Sequence, residues 1–536
     1  MKSITIKKLY KLHSWVGIIS GILLFVIAFT GAVAVFARPE LKVWANEEIS
    51  SPIKISPQAY QQVIDKYAQD AGKEFQEEVH FRLPSARNTE YARIIYEGHF
   101  EDENGKEQHI GKVYVLDPRN LENLGKFDMD EFFELEWHDM STFLAHFHAD
   151  LHLGRPLGLI LTGLLGLTLM VSIVTGIFIH RKILAQLFTF RPTKSFSLML
   201  NDGHKVMSVW GVLFHSVIAF TGAFLGLATV ILVPAAAYVG FNGDQEKLIE
   251  TFTAIKAPQI AHIDKPTKLA DILQHSLDNN PKLTFNNVTI MGYGDENALV
   301  YVQGAGDEQL GGQTLVYQGA TGEFIRKQAN FGRLEGVTGK ILDAMFPLHF
   351  GNFGGILVKV IWGVLGLATA LLPISGIMLW IERGLNAQHP AHSKQTFVTF
   401  QKLLIGTCGG VVLATFALFP AQLLLNEFYS IANQTTPIFT VFFGTWFAAT
   451  FAALFMKART SFHMISYIAI WCLLITMPMD IALTGSHVFA LAETQHYVSV
   501  GVDLSLFAIG LIALMLMKKT KEKATTQTTD VIPEPV

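Results

Sequence analysis

Cysteine is almost missing. Cys408 and Cys472 are the only two in 536 residues, and both fall inside apolar runs. Two such thiols exclude a disulfide framework, a cysteine-rich zinc ribbon and covalent CxxCH haem attachment. Charge is scarce as well. Asp, Glu, Lys and Arg make up 16% of the chain, where a soluble enzyme carries about a quarter. No GxGxxG turn opens a helix, and "GAGDEQLGG" from Gly304 reads as a turn between strands, so no dinucleotide cradle is expected. Basic patches interleaved with aromatics are absent, which argues against nucleic acid as a partner. What is plentiful is apolar residue, 50% of the chain. Much of it lies in long runs, the signature of an α-helical polytopic protein of the lipid bilayer.

Eight runs are long enough to cross about 30 Å of hydrocarbon as helices. They cover roughly 14–37, 156–180, 205–238, 354–381, 402–425, 437–456, 463–484 and 498–517. The first has a basic start and small residues near Ala34 and Ala37, like a signal peptide. Its apolar part is longer than a signal core, and it reads as a retained span. Lys and Arg cluster in alternate connections: Lys2, Lys7, Lys8 and Lys11 before the first span, Arg181, Lys182, Arg191 and Lys194 after the second, Arg383, Lys394 and Lys402 after the fourth, Lys457 and Arg459 after the sixth, and Lys518 to Lys523 after the last. By the positive-inside rule both termini are expected in the cytoplasm of a cell bounded by an inner membrane. The polar stretch 518–536 reads as a disordered cytoplasmic tail.

Two long polar segments, about 38–150 and 239–347, then face the periplasm. Each reads as α+β. In the first, "SPQAYQQVIDKYAQDAG" is an amphipathic helix and "EVHFRL", "YARIIYE" and "GKVYVLD" are strands. In the second, "PTKLADILQHSL" is the helix, followed by "LTFNNVTI", "NALVYVQG" and "QTLVYQGATGEFIRK". Each segment is thus expected to be a helix and about three antiparallel strands.

The chain repeats itself. "VIAFTGA" from Val26 recurs unchanged from Val217, and the same register lays His13 on His204. "LHLG" from Leu151 resembles "LHFG" from Leu348. "GLLGL" from Gly163 resembles "GVLGL" from Gly363, and "TGI" from Thr175 resembles "SGI" from Ser375. A shift of three residues separates the first of these from the other two. Residues 1–195 and 196–395 therefore read as two copies of one unit (span, α+β domain, span), a parallel repeat about an axis along the membrane normal. Residues 396–517 add four spans without a copy.

The repeat pairs histidines: His13 with His204 at the inner mouth, His152 with His349 at the outer mouth. Facing imidazoles at matched depth in an apolar bundle are how a non-covalent haem is held, and glycines let the porphyrin approach. The bland reading of each histidine is a headgroup contact or a satisfied core polar group. His215, inside the third span, and His180, at the inner end of the second, are further candidate ligands. His148 and His152 stand at i and i+4, a spacing that places both on one helical face and also suits a zinc or ferric site. No HExxH occurs there, and His146 and His148 fit the rim of the haem pocket or a substrate cleft. His80, His99, His109, His262 and His275 read as exposed on the outer domains, His389 and His392 as loop residues. Glu427, Asp480, His487, Glu493 and His496 read as a solvated outer rim, with a proton or quinone site as the sharper alternative.

"LHSWVGIISGILLFVIAFTGAVAVF", "LHLGRPLGLILTGLLGLTLMVSIVTGIFIHR", "DGHKVMSVWGVLFHSVIAFTGAF" and "SGIMLWIER" resemble, in this order, the four core helices of PepSY-associated transmembrane proteins. "GKVYVLDPRNLENLG" and "QTLVYQGATGEFIRK" resemble the closing hairpins of PepSY-type domains. The resemblance covers about residues 1–395. It implies membrane proteins of the iron-regulated or siderophore-reductase type with two b-type haems, passing electrons from a cytoplasmic donor or quinol to a ferric-siderophore or other ferric complex outside. Without a dinucleotide motif, NAD(P)H oxidation falls to a partner or to quinol. Two rival expectations stand beside this one. One is a membrane-anchored PepSY binding or regulatory module with structural histidines. The other is a transport component of iron uptake, which calls for charged residues at mid-membrane, and spans one to four have almost none.

Overall fold

The computed structural model describes the whole chain apart from residues 1–2, 46–54, 85–90, 102–106, 135–138, 181–187, 192–194, 307–309, 330–331, 333–335, 390, 431–432, 486–496 and 530–536. Among the described residues, eight helices are long and apolar enough to cross a membrane.

The first unit opens with α1 (Ser3–Ala34), a π-helical turn at Ala37–Leu41 and the short α2 (Lys42–Ala45). Then come α3 (Pro57–Ala71), β1 (Glu78–Arg82), β2 (Ala92–Glu101), β3 (Glu107–Leu116), β4 (Asn123–Asp128) and α4 (Met129–Glu134). The chain returns through α5 (Met140–Asp150) and the span α6 (Leu157–Ile179). The second unit repeats the plan. A split first span, α7 (Phe196–Trp210) and α8 (Val212–Leu227), leads through a π turn at Ala228–Leu232 into α9 (Val233–Phe241) and α10 (Gln245–Thr253). Next are α11 (Leu269–Asn279), β5 (Leu283–Met291), β6 (Leu299–Gly306), β7 (Gln313–Gln318), β8 (Phe324–Ala329), α12 (Gly336–Phe350) and the span α13 (Gly355–Asn386). The rest comprises α14 (Lys394–Leu404) running through a π turn into α15 (Gly410–Phe428), then α16 (Thr435–Phe455), α17 (Ala458–Thr484) and α18 (Tyr497–Thr529). The last helix outruns the expected end of its span. The stretch expected as a disordered tail continues this helix as far as Thr529.

The two polar segments form one eight-stranded antiparallel sheet, ordered β4-β3-β2-β1-β5-β6-β7-β8. The seam is the β1–β5 pairing, with Val79 opposite Ile290 and Phe81 opposite Val288. Both α3 and α11 lie on one face. Ser56 caps α3 by accepting from Ala59 N, Pro57 fills its first turn, and Gln61 accepts from Ala270 N of α11 at 3.0 Å. Ile64, Tyr67, Phe81, Tyr96, Ile272, Val288, Val300 and Tyr317 make a common buried core beneath them. Each unit therefore has four strands rather than the three expected. The fourth strands, β4 and β8, are edge strands with mostly exposed side chains and lack the alternation that marks a half-buried strand, and β8 is the second half of the run "QTLVYQGATGEFIRK".

In the membrane region α1 packs on α13 and α6 on α8, so each copy's first span lies on the other copy's second. Glycine permits this: a Cβ on Gly166 would stand 2.8 Å from Ala223 N, and one on Gly366 3.0 Å from Ala32 Cβ. The identical "TGA" segments thus meet the matched glycines of the partner copy.

The four added helices dock on the first unit. Gln422 Oε1 accepts from Met140 N at 2.8 Å, Asn426 Nδ2 donates to Ala45 O at 2.8 Å, and Trp44 Nε1 donates to Asp503 at 2.9 Å. Phe143 and Phe147 of α5 pack into Phe439, Phe442 and Phe443 of α16. Asp480, expected on a solvated rim, is buried with 1% exposure. Glu427 is exposed. His487, Glu493 and His496, like Arg181, Lys182 and Lys194, lie outside the described residues.

Candidate functional site

Four histidines form two facing pairs. His13 of α1 and His204 of α7 have ring centroids 6.3 Å apart with planes at 88°. His148 of α5 and His349 of α12 are 6.0 Å apart with planes at 22°. The second pair lies on the sheet side of the spans, the first at the opposite end of α1.

Each ring is tied back through Nδ1 in the same way. His13 Nδ1 is 3.1 Å from both Ser172 O and Thr175 Oγ1. His204 Nδ1 is 3.2 Å from Leu372 O and 2.9 Å from Ser375 Oγ. His148 Nδ1 is 3.0 Å from Ile27 O. These carbonyls only accept, so Nδ1 carries the proton. His349 Nδ1 meets Thr221 Oγ1 at 2.9 Å, and that hydroxyl already donates to Val217 O, so it too accepts from Nδ1–H. All four imidazoles are then Nδ1–H tautomers with an unprotonated Nε2. None of these Nε2 atoms has a hydrogen-bond partner among the described residues. An imidazole oriented through Nδ1–H with Nε2 bare is the ligating form.

Glycines flank the rings in repeat-matched positions. A Cβ on Gly31 would sit 2.6 Å from His148 Cε1, and one on Gly222 3.1 Å from His349 Cε1. Gly176 and Gly376 stand in the same relation to His13 and His204, at 3.5 and 3.7 Å. A cavity of about 680 Å³ opens beside the second pair. His148, His349, Gly31, Gly222, Leu159 and Arg155 are in its lining.

The structure departs from the expected placement of His152, His215 and His180. His152 does not face His349; His148 does. The helix α5 stops at Asp150, and Leu151 (φ 57) and His152 (φ 53) both turn left-handed. His152 therefore leaves the face it was expected to share with His148, which removes the zinc geometry proposed for that pair. Its Nε2 is 3.0 Å from Phe143 O, and its ring lies 4.6 Å from Phe439. His215 has both nitrogens engaged, Nδ1 with Thr369 Oγ1 at 2.8 Å and Nε2 with Met207 O at 3.2 Å. It is a polar tie between α7, α8 and α13, and the break at Gly211 makes room for it, since a Cβ there would lie 2.2 Å from His215 Nε2. His180 ends α6, where its N–H caps Gly176 O, and belongs to neither pair. His146 is exposed, its ring 6.4 Å from His152.

An uncharacterized protein of Pseudomonas aeruginosa is 24% identical over 338 residues, which cover 58% of this chain and 79% of that protein. The family model described as the PepSY-associated TM region matches residues 10–383, both repeat units without the four added helices. The chain belongs to that family.

Proposed function

We propose that the two histidine pairs each hold one b-type haem and that the chain carries electrons across the membrane to a ferric complex on the sheet side. The carrying observation is the pair geometry: two imidazoles at 6.3 and at 6.0 Å between centroids, each with a bare Nε2. Metal–imidazole bonds of about 2 Å on opposite sides of one ion put ring centres about 6 Å apart. The donor set fits haem iron, for two neutral imidazoles are a common low-spin axial set. A haem bound there supplies one-electron transfer.

The protein's own residues do the rest. Thr175, Ser375, Ile27 and Thr221 fix the ring orientations, and the four glycines remove the side chains that would fill the space beside them. Arg155 lines the cavity beside the second pair and offers a cation to anionic propionates. His13 and the His148 anchor Ile27 are both on α1, and fourteen residues of helix separate the two sites by about 21 Å along the axis. Two sites so spaced span most of a hydrocarbon layer of about 30 Å. Lys7, Lys8, Lys11, Arg383, Lys402 and Lys457 sit toward the end away from the sheet, so the sheet faces the periplasm of an inner-membrane protein. With no nucleotide motif in the chain, a quinol or a partner protein supplies the electrons.

The test is anaerobic mixing of dithionite-reduced protein with ferric citrate and ferric hydroxamates. Decay of the reduced α-band with matching release of ferrous iron is expected. A stable α-band with every ferric complex refutes the reductase role while leaving the haem assignment standing.

The satisfied nitrogens of His215 carry a separate prediction. His215→Ala keeps both haems and loses about 1–3 kcal/mol of stability from the stranded polar groups. An unchanged α-band with a lowered thermal midpoint is the expected pair of readings.

A further inference from the structure

The sheet face opposite α3 and α11 carries a second cluster of metal-ligand chemistry, away from both histidine pairs. In the β2–β3 ladder His99 stands directly opposite His109. Glu97 is two residues before His99 and so points to the same face. One ligand atom from each of Glu97, His99 and His109 lies within 4.8 Å of the others. The imidazole centroids are 4.4 Å apart at 85°. His109 Nδ1 is 2.5 Å from Glu97 Oε1. On the outer flank, Glu77 Oε2 accepts from His99 Nδ1 at 2.9 Å and from His99 N at 3.0 Å.

A pair of ordinary His–Glu ion pairs is the plain alternative. Two features weigh against it. Protonating both rings to make those ion pairs would set two imidazolium cations edge to face at van der Waals distance. In addition, β1 places Glu78 directly opposite Glu97, and like charges at opposed positions destabilise a sheet. Neutral imidazoles with a central cation resolve both conflicts. The second unit shows that the fold does not require the cluster, since β6 and β7 contain no histidine and end with Gly304 opposite Gln313.

We propose that Glu97, His99 and His109 form a binding site for a divalent first-row transition-metal ion, with Glu77 positioning His99. Two imidazoles and a carboxylate are a donor set suited to zinc and its neighbours. A carboxylate on the far nitrogen of a ligating histidine is the usual orienting device. His109 is exposed, so the ion exchanges with solvent. The site shares no residue with the haem reading and stands without it.

The probe is Zn²⁺, which keeps haem iron out of the count. Full-length, tag-free protein in detergent is titrated against a chromophoric chelator, with the visible spectrum recorded in parallel. Wild type is expected to take up one Zn²⁺ that the His99→Ala/His109→Ala variant does not. Glu77→Gln, which keeps both proposed histidine ligands, weakens binding by about 10–100-fold. The spectrum of the histidine-pair sites stays the same in every variant. Equal zinc uptake by wild type and the double variant, at one ion or at none, overturns the proposal.

Discussion

Replacing His148 with alanine is expected to halve the haem content and leave the remaining haem low-spin. Replacing His152 is expected to leave both haems in place. The contrast follows from direction. His148 Nδ1 is held by Ile27 O, and its ring faces His349 at 6.0 Å. His152 is turned away by two left-handed residues and gives its Nε2 to Phe143 O. His349→Ala should reproduce the His148→Ala result, and His13→Ala or His204→Ala should remove the other haem. Pyridine haemochrome assay of each purified variant reads the number directly. Haem lost from the His152 variant but kept by the His148 variant would reverse the assignment.

The second large effect concerns what holds α5. Lys42 and Asp139 form an ion pair at 2.8 Å, with 1% and 0% of their side chains exposed. Lys42 also donates to Thr142 Oγ1 at 2.8 Å. Asp139 is at the same time the cap of α5, accepting from Thr142 N and Ser141 Oγ, each at 2.8 Å. Removing one partner of a buried pair strands the other charge, at a cost of about 3–5 kcal/mol. Asp139→Ala removes the helix cap as well, and that helix carries His148. The variant is expected to lose the haem beside the sheet and to unfold at a markedly lower temperature in detergent. Lys42→Met together with Asp139→Leu leaves no charge behind and should recover much of the stability. Calorimetric midpoints of the single and double variants separate the two contributions.

Much of the architecture was written in the one-dimensional pattern. Eight apolar runs became eight candidate spans, and the "VIAFTGA" identity marked two units that fold alike. The His13–His204 facing followed from that same register. The outer pairing failed for a local reason. "LHLG" and "LHFG" look alike, but matching them places His349 on His152. The other matches, Gly163 with Gly363 and Thr175 with Ser375, carry an offset of two hundred, which lays His349 on Ala149, one residue from His148. The three-residue discrepancy was the signal, and the end of α5 at Asp150 is its structural meaning. The single sheet was not legible, because the β1–β5 seam joins strands about two hundred residues apart and either half alone satisfies the alternation rule. The role of the four added helices was hidden too. They bury the back of α5 through aromatic contacts that no spacing in the chain announces.

Each facing histidine pair is proposed to close on one haem iron. The most direct test is the haem-to-protein ratio of the full-length chain, purified after expression with ample haem precursor and read by pyridine haemochrome and low-temperature spin resonance. Two haem b per chain with bis-imidazole low-spin signals are expected. A colourless preparation of folded protein, without Soret absorbance, would contradict it.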